Sequence, residues 1–325
     1  MAQRSFDEQM EALNALKGVT LDADAVAFVK KSLTGRSNLL VAKAAKLIAD
    51  AELSILLPEV LAAFDRFFLD AVKTDPQCWA KNALVKALIK LEHRSKDAYL
   101  RGLRHHQLEP VWGGQSDTAG ALRADCAHAL VNCPGLSDAE LLAHLLDALT
   151  DTDKTVRVEA ARAIGNVGGV SAALLLRLRA LLGSDEPEVQ GAVYCALLAV
   201  EGVAAIPLVA KALEEGDDLA AEAAFALADQ RSQETLGVLI ARHRTGADSW
   251  FAGVLLSAIA LTRLPEAFEY LLALISRDTL ESAAAIEAVG RSAPNADLRA
   301  RVEQAVDEAD SPRLRQAFRE YLSPT

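Results

Sequence analysis

Small and apolar residues recur along this chain at the spacing of one buried helix face. An alanine followed by a branched or aromatic apolar residue returns at steps of 42, 34, 33, 30, 32, 30 and 29 residues, and a further copy with leucine lies 40 residues upstream. The anchor pairs are Leu47-Ile48, Ala87-Leu88, Ala129-Leu130, Ala163-Ile164, Ala196-Leu197, Ala226-Leu227, Ala258-Ile259, Ala288-Val289 and Ala317-Phe318. Another small or apolar residue precedes each anchor by three positions, so every copy predicts a helix with one buried face.

A second amphipathic stretch lies between successive copies, as at residues 141–149 and 206–213. Each repeat is therefore predicted to be an outer helix, a turn and an inner helix that carries the anchor. An aspartate stands just ahead of most inner helices, where its carboxylate is expected to cap free backbone N–H groups. These aspartates are Asp75, Asp117, Asp153, Asp185, Asp217, Asp248, Asp278 and Asp310.

Composition agrees with an all-α array. Apolar residues make up 51% of the 325 residues and aromatic residues only 5%. The chain exceeds the length at which one compact core usually keeps growing, and a fixed repeat period favours an array over separate domains.

The run from Asp153 to Gly165, with Val156-Arg157, Ala160-Ala161 and Ala163-Ile164-Gly165, resembles the HEAT-repeat signature. The resemblance implies a right-handed α-solenoid whose inner helices line a concave face, in a family whose members mostly bind other macromolecules. We therefore predict a single solenoid of about nine HEAT-type helix pairs over residues 1–325. Residues 1–20 are expected to form an N-terminal cap helix and residues 296–325 a C-terminal capping repeat.

Charge, cysteine content and hydropathy limit the environment. Net charge is −11, and it is uneven: residues 1–117 carry 16 basic and 15 acidic residues, whereas residues 118–325 carry 18 and 30. The four cysteines show no CxxC pair or zinc-ligand spacing, and no targeting or membrane-spanning segment is evident. We expect a soluble cytoplasmic protein that does not bind membranes.

Enzyme motifs are missing from the sequence. It contains no GxGxxG, GxxxxGK, HExxH or GxSxG motif, and no His-Glu dipeptide of the kind that binds di-iron in some HEAT proteins. We therefore predict no catalytic residue, metal or cofactor. A HEAT-type lyase or other cofactor-handling enzyme remains the alternative, and a deep pocket with convergent ionisable side chains would support it.

One segment, residues 101–117, interrupts the repeat and is predicted to be an inserted loop. Insertions in solenoids often lie on the binding face, although loops also tolerate insertions at little cost. The candidate binding residues in this loop are Arg101, Arg104, His105, His106 and Trp112.

The repeat register predicts which residues line the concave face. Positions −1 and +3 from each anchor point away from the core. The candidates at these positions are Lys46, Lys86, Lys90, His128, Arg162, Phe225 and Leu261. This pattern predicts a groove that is basic at its N-terminal end and less polar near Phe225.

The first hypothesis is a non-catalytic scaffold that binds a protein or peptide, with an acidic segment of the partner facing the N-terminal repeats. Binding of nucleic acid or another polyanion by those repeats is the second. Both stand beside the simpler interpretation that these side chains only face solvent.

Overall fold

The computed structural model describes residues 5–322, and the chain divides into two compact units, residues 1–167 and residues 168–325. The single continuous array stays a prediction. The first unit contains the helices α1 Phe6–Ala15, α2 Ala23–Leu33, α3 Asn38–Asp50, α4 Leu57–Arg66, α5 Ala71–Thr74, α6 Trp79–Lys90, α7 Lys96–Leu103, α8 Gly120–Leu130, α9 Asp138–Leu149 and α10 Lys154–Val167. It also contains the strands β1 Leu108–Val111 and β2 Gly114–Asp117, and 3-10 turns at Ser54–Leu56 and Pro76–Cys78.

The second unit contains helices joined by turns, and no strand, in its described residues 168–322. Its helices are α11 Gly169–Leu182, α12 Pro187–Glu201, α13 Ile206–Lys211, α14 Asp218–Asp229, α15 Gln233–Arg244, α16 Ser249–Leu261, α17 Pro265–Ile275, α18 Ser282–Arg291, α19 Ala296–Glu308 and α20 Pro312–Tyr321. One 3-10 turn, Gly202–Ala205, joins α12 to α13.

Both units are built from pairs of helices, as the sequence predicts. In the first unit the inner helices α3, α6, α8 and α10 pack in succession, and α2, α4, α7 and α9 cover them. In the second unit the inner helices are α12, α14, α16, α18 and α20, covered by α11, α13, α15, α17 and α19. The described residues thus contain four pairs and five pairs, which confirms the all-α repeat class.

The anchor register is confirmed by burial. All nine anchors are at most 7% exposed, and all nine residues three positions earlier are 0% exposed. Alanine and other small side chains at these points let neighbouring inner helices approach closely.

The predicted aspartate caps are confirmed only in part. Asp217 and Asp248 accept hydrogen bonds from the backbone N–H groups of α14 and α16 at 2.9 Å. Asp278 and Asp310 have positive φ angles of 46° and form ion pairs with arginines instead, so the prediction is wrong for these two. Each comes just after an outer helix, where the left-handed conformation ends that helix.

The prediction that residues 101–117 form a loop is wrong in detail. Residues 101–103 complete α7, and β1 and β2 form an antiparallel hairpin in which Leu108 pairs with Asp117 and Val111 with Gly114. Gly113 supplies the positive φ, 86°, that its two-residue turn with Trp112 requires. Neither strand alternates apolar and polar residues, so the sequence carried no strand signal there.

Residues 187–211 are long and apolar enough, by length and composition alone, to cross a membrane. Half of the apolar stretch is buried inside the protein, and α12 packs between α11 and α14. Gly202, with φ 59° and ψ −132°, ends α12 before α13 begins. The segment therefore has the position of a core helix within the second unit.

Candidate functional site

The basic candidates of the first unit lie on exposed positions of successive inner helices. Lys46 is on α3, Lys86 and Lys90 are on α6, His128 is on α8 and Arg162 is on α10, and all five are exposed. Their exposure follows from the register, because positions −1 and +3 turn away from the buried anchors. Whether they bind a partner stays a prediction.

Carboxylates accompany four of these five residues. Lys86 lies 3.9 Å from Asp125, and Lys90 lies 2.8 Å from Glu52. Glu159 takes part in two further pairs, with His128 and Arg162. The described inner face of the first unit is therefore mixed in charge, not basic as the −1 and +3 positions suggested.

Asp125 and Glu159 occupy position −4, one helical turn before the positions considered in the sequence. Burial raises the pKa of Asp125, and the neighbouring Lys86 acts in the opposite direction. The sequence signal was available, since −4 and −1 share a helix face.

The candidates between residues 101 and 112 do not converge on one site. Arg101 pairs with Asp65 at 2.6 Å, and Arg104 reaches the His144 ring at 3.5 Å. These contacts tie α7 to neighbouring outer helices.

The adjacent histidines are held by different partners. The His105 ring lies 3.2 Å from the Gln107 side-chain oxygen, and His106 Nδ1 lies 2.8 Å from Asp117 Oδ2. Trp112 is fully exposed at the hairpin turn. Within residues 5–322, no group of three or more His, Cys, Asp or Glu side chains could hold a metal ion.

A buried ion pair lies next to the hairpin and is joined to it by hydrogen bonds. Asp75 and Lys81 are both 0% exposed, and Lys81 Nζ lies 3.0 Å from Asp75 Oδ2. Gln107, the residue before β1, donates to the Asp75 carbonyl at 2.8 Å and to Glu109 at 2.6 Å. Thr118 donates to the same Glu109 oxygen at 2.7 Å. Paired partners satisfy these buried groups and fix the hairpin to the helices.

A second buried cation, Arg123, connects the hairpin to the following repeat. Its guanidinium donates to both oxygens of Asp151, at 2.7 and 3.0 Å, and to Asp117 at 2.8 Å. Burial opposes ionisation of Asp117, but the N–H groups of Gln107 and Ala119 together with Arg123 hold its pKa well below the usual range. The arrangement is structural, since its charges are satisfied by each other.

These buried cations were missed by the sequence analysis, although they share one register position. Lys81, Arg123 and Arg157 all lie six residues before an anchor, at a position that faces the core. Arg157 donates to the carbonyls of Asp151 and Thr152, at 2.7 and 3.1 Å. A basic residue at a core position was the available signal for a buried polar network.

The second unit has a groove of about 670 Å³ along α16, α18 and α20. We call it the inner-helix groove. Its lining is mostly small and apolar, with Ala252, Gly253, Ala283, Ala284 and Ala317 among its residues. Because these side chains are short, they leave room between the helices for the side chains of another molecule.

The charged residues in the lining of the inner-helix groove are mainly acidic. It includes Glu281, Glu287 and Glu320 against one arginine, Arg313. That arginine is already engaged, because it donates to Asp278 at 2.8 Å and to the Thr279 carbonyl at 2.6 Å. Among the glutamates, Glu287 forms an ion pair with Arg291 at 2.6 Å, and Glu281 lies 3.5 Å from His243 Nε2. The groove offers apolar surface whose border keeps a net negative charge.

Large apolar side chains lie exposed beside the groove. Leu280, which is in the lining, is 91% exposed, and Trp250, next to the lining residue Ser249, is 49% exposed. The two apolar candidates from the sequence, Phe225 and Leu261, are 38% and 40% exposed but are not among the lining residues. The register thus identified their exposure, whereas the groove depends on small residues at other positions, such as Gly253 and Ala283 at −5 and Ala284 at −4.

Part of this architecture matches a known repeat family. The family model described as HEAT repeats matches residues 142–228. Residues 142–228 of the chain are therefore similar to HEAT repeats. The matched region includes the Asp153–Gly165 run that carried the resemblance in the sequence, and no curated protein matches the chain.

The solved structures to which this chain is similar are distant. An engineered protein has a TM-score of 0.39 at 18% identity, with 100% of this chain and 93% of that one covered. Human deoxyhypusine hydroxylase in complex with glycerol has 0.30 at 19%, covering 80% and 92%. Kap121p bound to Nup53p has 0.42 at 13%, covering 98% and 45%. Likenesses this distant carry no argument about function.

Proposed function

We propose that this chain is a scaffold that holds a segment of another protein in the inner-helix groove of its second unit. The observation that carries the proposal is the combination of a small-residue floor, exposed Leu280 and Trp250, and an acidic rim. An apolar concavity with a polar border is the usual anatomy of a surface that binds a peptide or helix.

The groove favours a partner segment that is both apolar and basic. Apolar anchors would displace water from the alanine-rich floor, and Lys or Arg side chains would meet Glu281 and Glu320, since Glu287 already pairs with Arg291. The acidic partner segment predicted for the first unit has less support, because Lys86, Lys90 and Arg162 already have carboxylate neighbours. The same ion pairs also reduce the support for binding of nucleic acid or another polyanion by these repeats.

A side chain added at Gly253 would block the groove without disturbing the fold. Gly253 lies within α16 and in the groove lining, and a Cβ there would have no heavy atom within 4 Å. Gly237 is a matched control, because it is also a helical glycine with open space around it, on the outer helix α15.

The experiment selects binders from a library of short random peptides and then measures their affinity for Gly253→Trp and Gly237→Trp. We expect selected peptides rich in apolar and basic residues, with affinity lost in Gly253→Trp and kept in Gly237→Trp. Equal affinity for both variants would show that the groove is not the binding site. Failure to select any peptide that competes for the groove would count against the scaffold function.

The cytoplasmic location and the absence of a cofactor also remain proposals. They rest on the lack of a cysteine framework, targeting pattern or cofactor motif in the sequence. An enzymatic alternative would need ionisable side chains that converge in the inner-helix groove. Arg313, the arginine in its lining, instead pairs with Asp278, which is not a lining residue.

A further inference from the structure

The outer helix α11 carries an apolar ridge that faces solvent. Val170, Leu174, Leu178 and Leu182 follow one another at intervals of four residues, and they are 78%, 63%, 58% and 60% exposed. We call these four residues the α11 ridge. Side chains four residues apart form one continuous row along a helix, inclined slightly to its axis.

The flanks of the α11 ridge extend its apolar surface. Leu181 beside it is 68% exposed, and Val203, on the 3-10 turn after α12, is 63% exposed. The opposite side of α11, with Ala172, Leu176 and Ala180, is buried against the unit. The exposed aliphatic surface therefore lies on the side of α11 that does not pack against the rest of the second unit.

The two charged residues of α11 are already engaged by other parts of the second unit. Arg177 forms an ion pair with Glu201, and Arg179 donates to both oxygens of Asp185 at 2.5 and 2.6 Å. The ridge consequently presents aliphatic carbon without a charge pattern that would select or orient a differently charged partner. A surface of the same kind is its best complement.

We propose that the α11 ridge is a two-fold interface with a second copy of this chain. The ridge is symmetric about position 176, since its residues lie two and six positions on either side. An antiparallel two-fold contact therefore places Leu174 of one copy beside Leu178 of the other, and Val170 beside Leu182. Rows of this type interdigitate in the commonest class of helix packing, with axes crossing at about −50°.

The exposed area is sufficient for a specific dimer. Four ridge residues with Leu181 and Val203 expose roughly 100 Å² each, so two copies would bury about 1,200 Å², at the lower end of stable interfaces. A patch of this size is also as large as the largest patch on a typical monomer, and such patches usually mark interaction sites.

The experiment uses the full chain in sedimentation equilibrium, with single variants Leu174→Lys and Leu178→Glu. Wild-type protein is expected to dimerise, and each variant alone to dissociate at least about 100-fold more readily, because an unpaired charge would be buried twice. Mixing the two variants is expected to restore a dimer, since position 174 of one chain meets position 178 of the other.

Two controls test whether the contact is antiparallel and confined to the α11 ridge. A mixture of Leu174→Lys and Leu174→Glu should stay monomeric, because an antiparallel contact does not bring the two altered positions together. Leu146→Glu alters another exposed outer-helix leucine, on α9, and should leave the dimer unchanged. A monomeric wild type, undiminished dimerisation of the single variants, or pairing in the 174/174 mixture instead of the 174/178 mixture would overturn the proposal.

Discussion

The buried Asp75–Lys81 pair allows the sharpest test of how the first unit is stabilised. Asp75 accepts hydrogen bonds from the backbone N–H groups of Ala80 and Lys81 at 2.8 and 2.9 Å. It also accepts from Lys81 Nζ at 3.0 Å and from the Asn38 amide at 3.1 Å. The perturbation is Asp75→Ala, which removes all four interactions at once.

The expected loss follows from what is left behind. Lys81 would keep one hydrogen bond, to the Phe67 carbonyl at 3.3 Å, while its side chain is 0% exposed. Removing one partner of a buried ion pair costs about 3–5 kcal/mol, since the remaining charge stays desolvated. Loss of the cap alone would cost about 1 kcal/mol. We therefore expect Asp75→Ala to lower the free energy of unfolding by about 4 kcal/mol.

The control is Asp248→Ala at the start of α16. Asp248 also caps an inner helix, through the Phe251 N–H at 2.9 Å, but it is exposed. Its replacement should cost only about 1 kcal/mol. Lys81→Met should cost less than Asp75→Ala, because the carboxylate would retain its three other donors.

The measurement is urea unfolding of the three variants, followed by circular dichroism. A loss in Asp75→Ala no larger than that in Asp248→Ala would refute the reasoning, because it would mean that the buried charge adds nothing to the cap. If Lys81→Met lowered the free energy of unfolding as much as Asp75→Ala does, the whole effect would be due to the Lys81 cation and none of it to the other donors of Asp75.

Three further predictions concern individual positions of the second unit. Gly237→Ala should raise the free energy of unfolding by about 0.5–1 kcal/mol in urea titration, because its Cβ meets open space and alanine is the better helix former. Gly290→Ala should lower it by about 1–3 kcal/mol, since the new Cβ would lie 2.7 Å from the Tyr321 carbonyl oxygen and force α20 away from α18; an unchanged midpoint would contradict this packing. Burial lowers the pKa of His243, whose Nδ1 lies 2.8 Å from the Tyr270 hydroxyl. Below about pH 6.5 the unfolded chain gains a proton that the folded chain resists, so stability should fall until the folded pKa is passed. Melting temperature against pH should show a smaller acid loss in His243→Gln than in the wild type.

The sequence by itself determined the repeat and its register. Small residues at the anchors and three positions before them are compatible only with a face where helices touch, so burial at Ala87, Ala163 and Ala226 could be read from spacing. Exposure of Lys86 and Phe225 followed from the same geometry. These are local properties, since the 3.6-residue helical period fixes which side chains share a face.

Only the tertiary structure decided what those faces contain. The carboxylate beside Lys86, Asp125, lies on the next inner helix, so this pair forms only when α6 and α8 pack. The hairpin of residues 108–117 depends on Gln107 and Glu109 meeting Asp75 and Thr118, contacts that no local pattern encodes. The inner-helix groove likewise exists because three helices bring their small residues together, and space between helices is a property of packing that no single segment possesses.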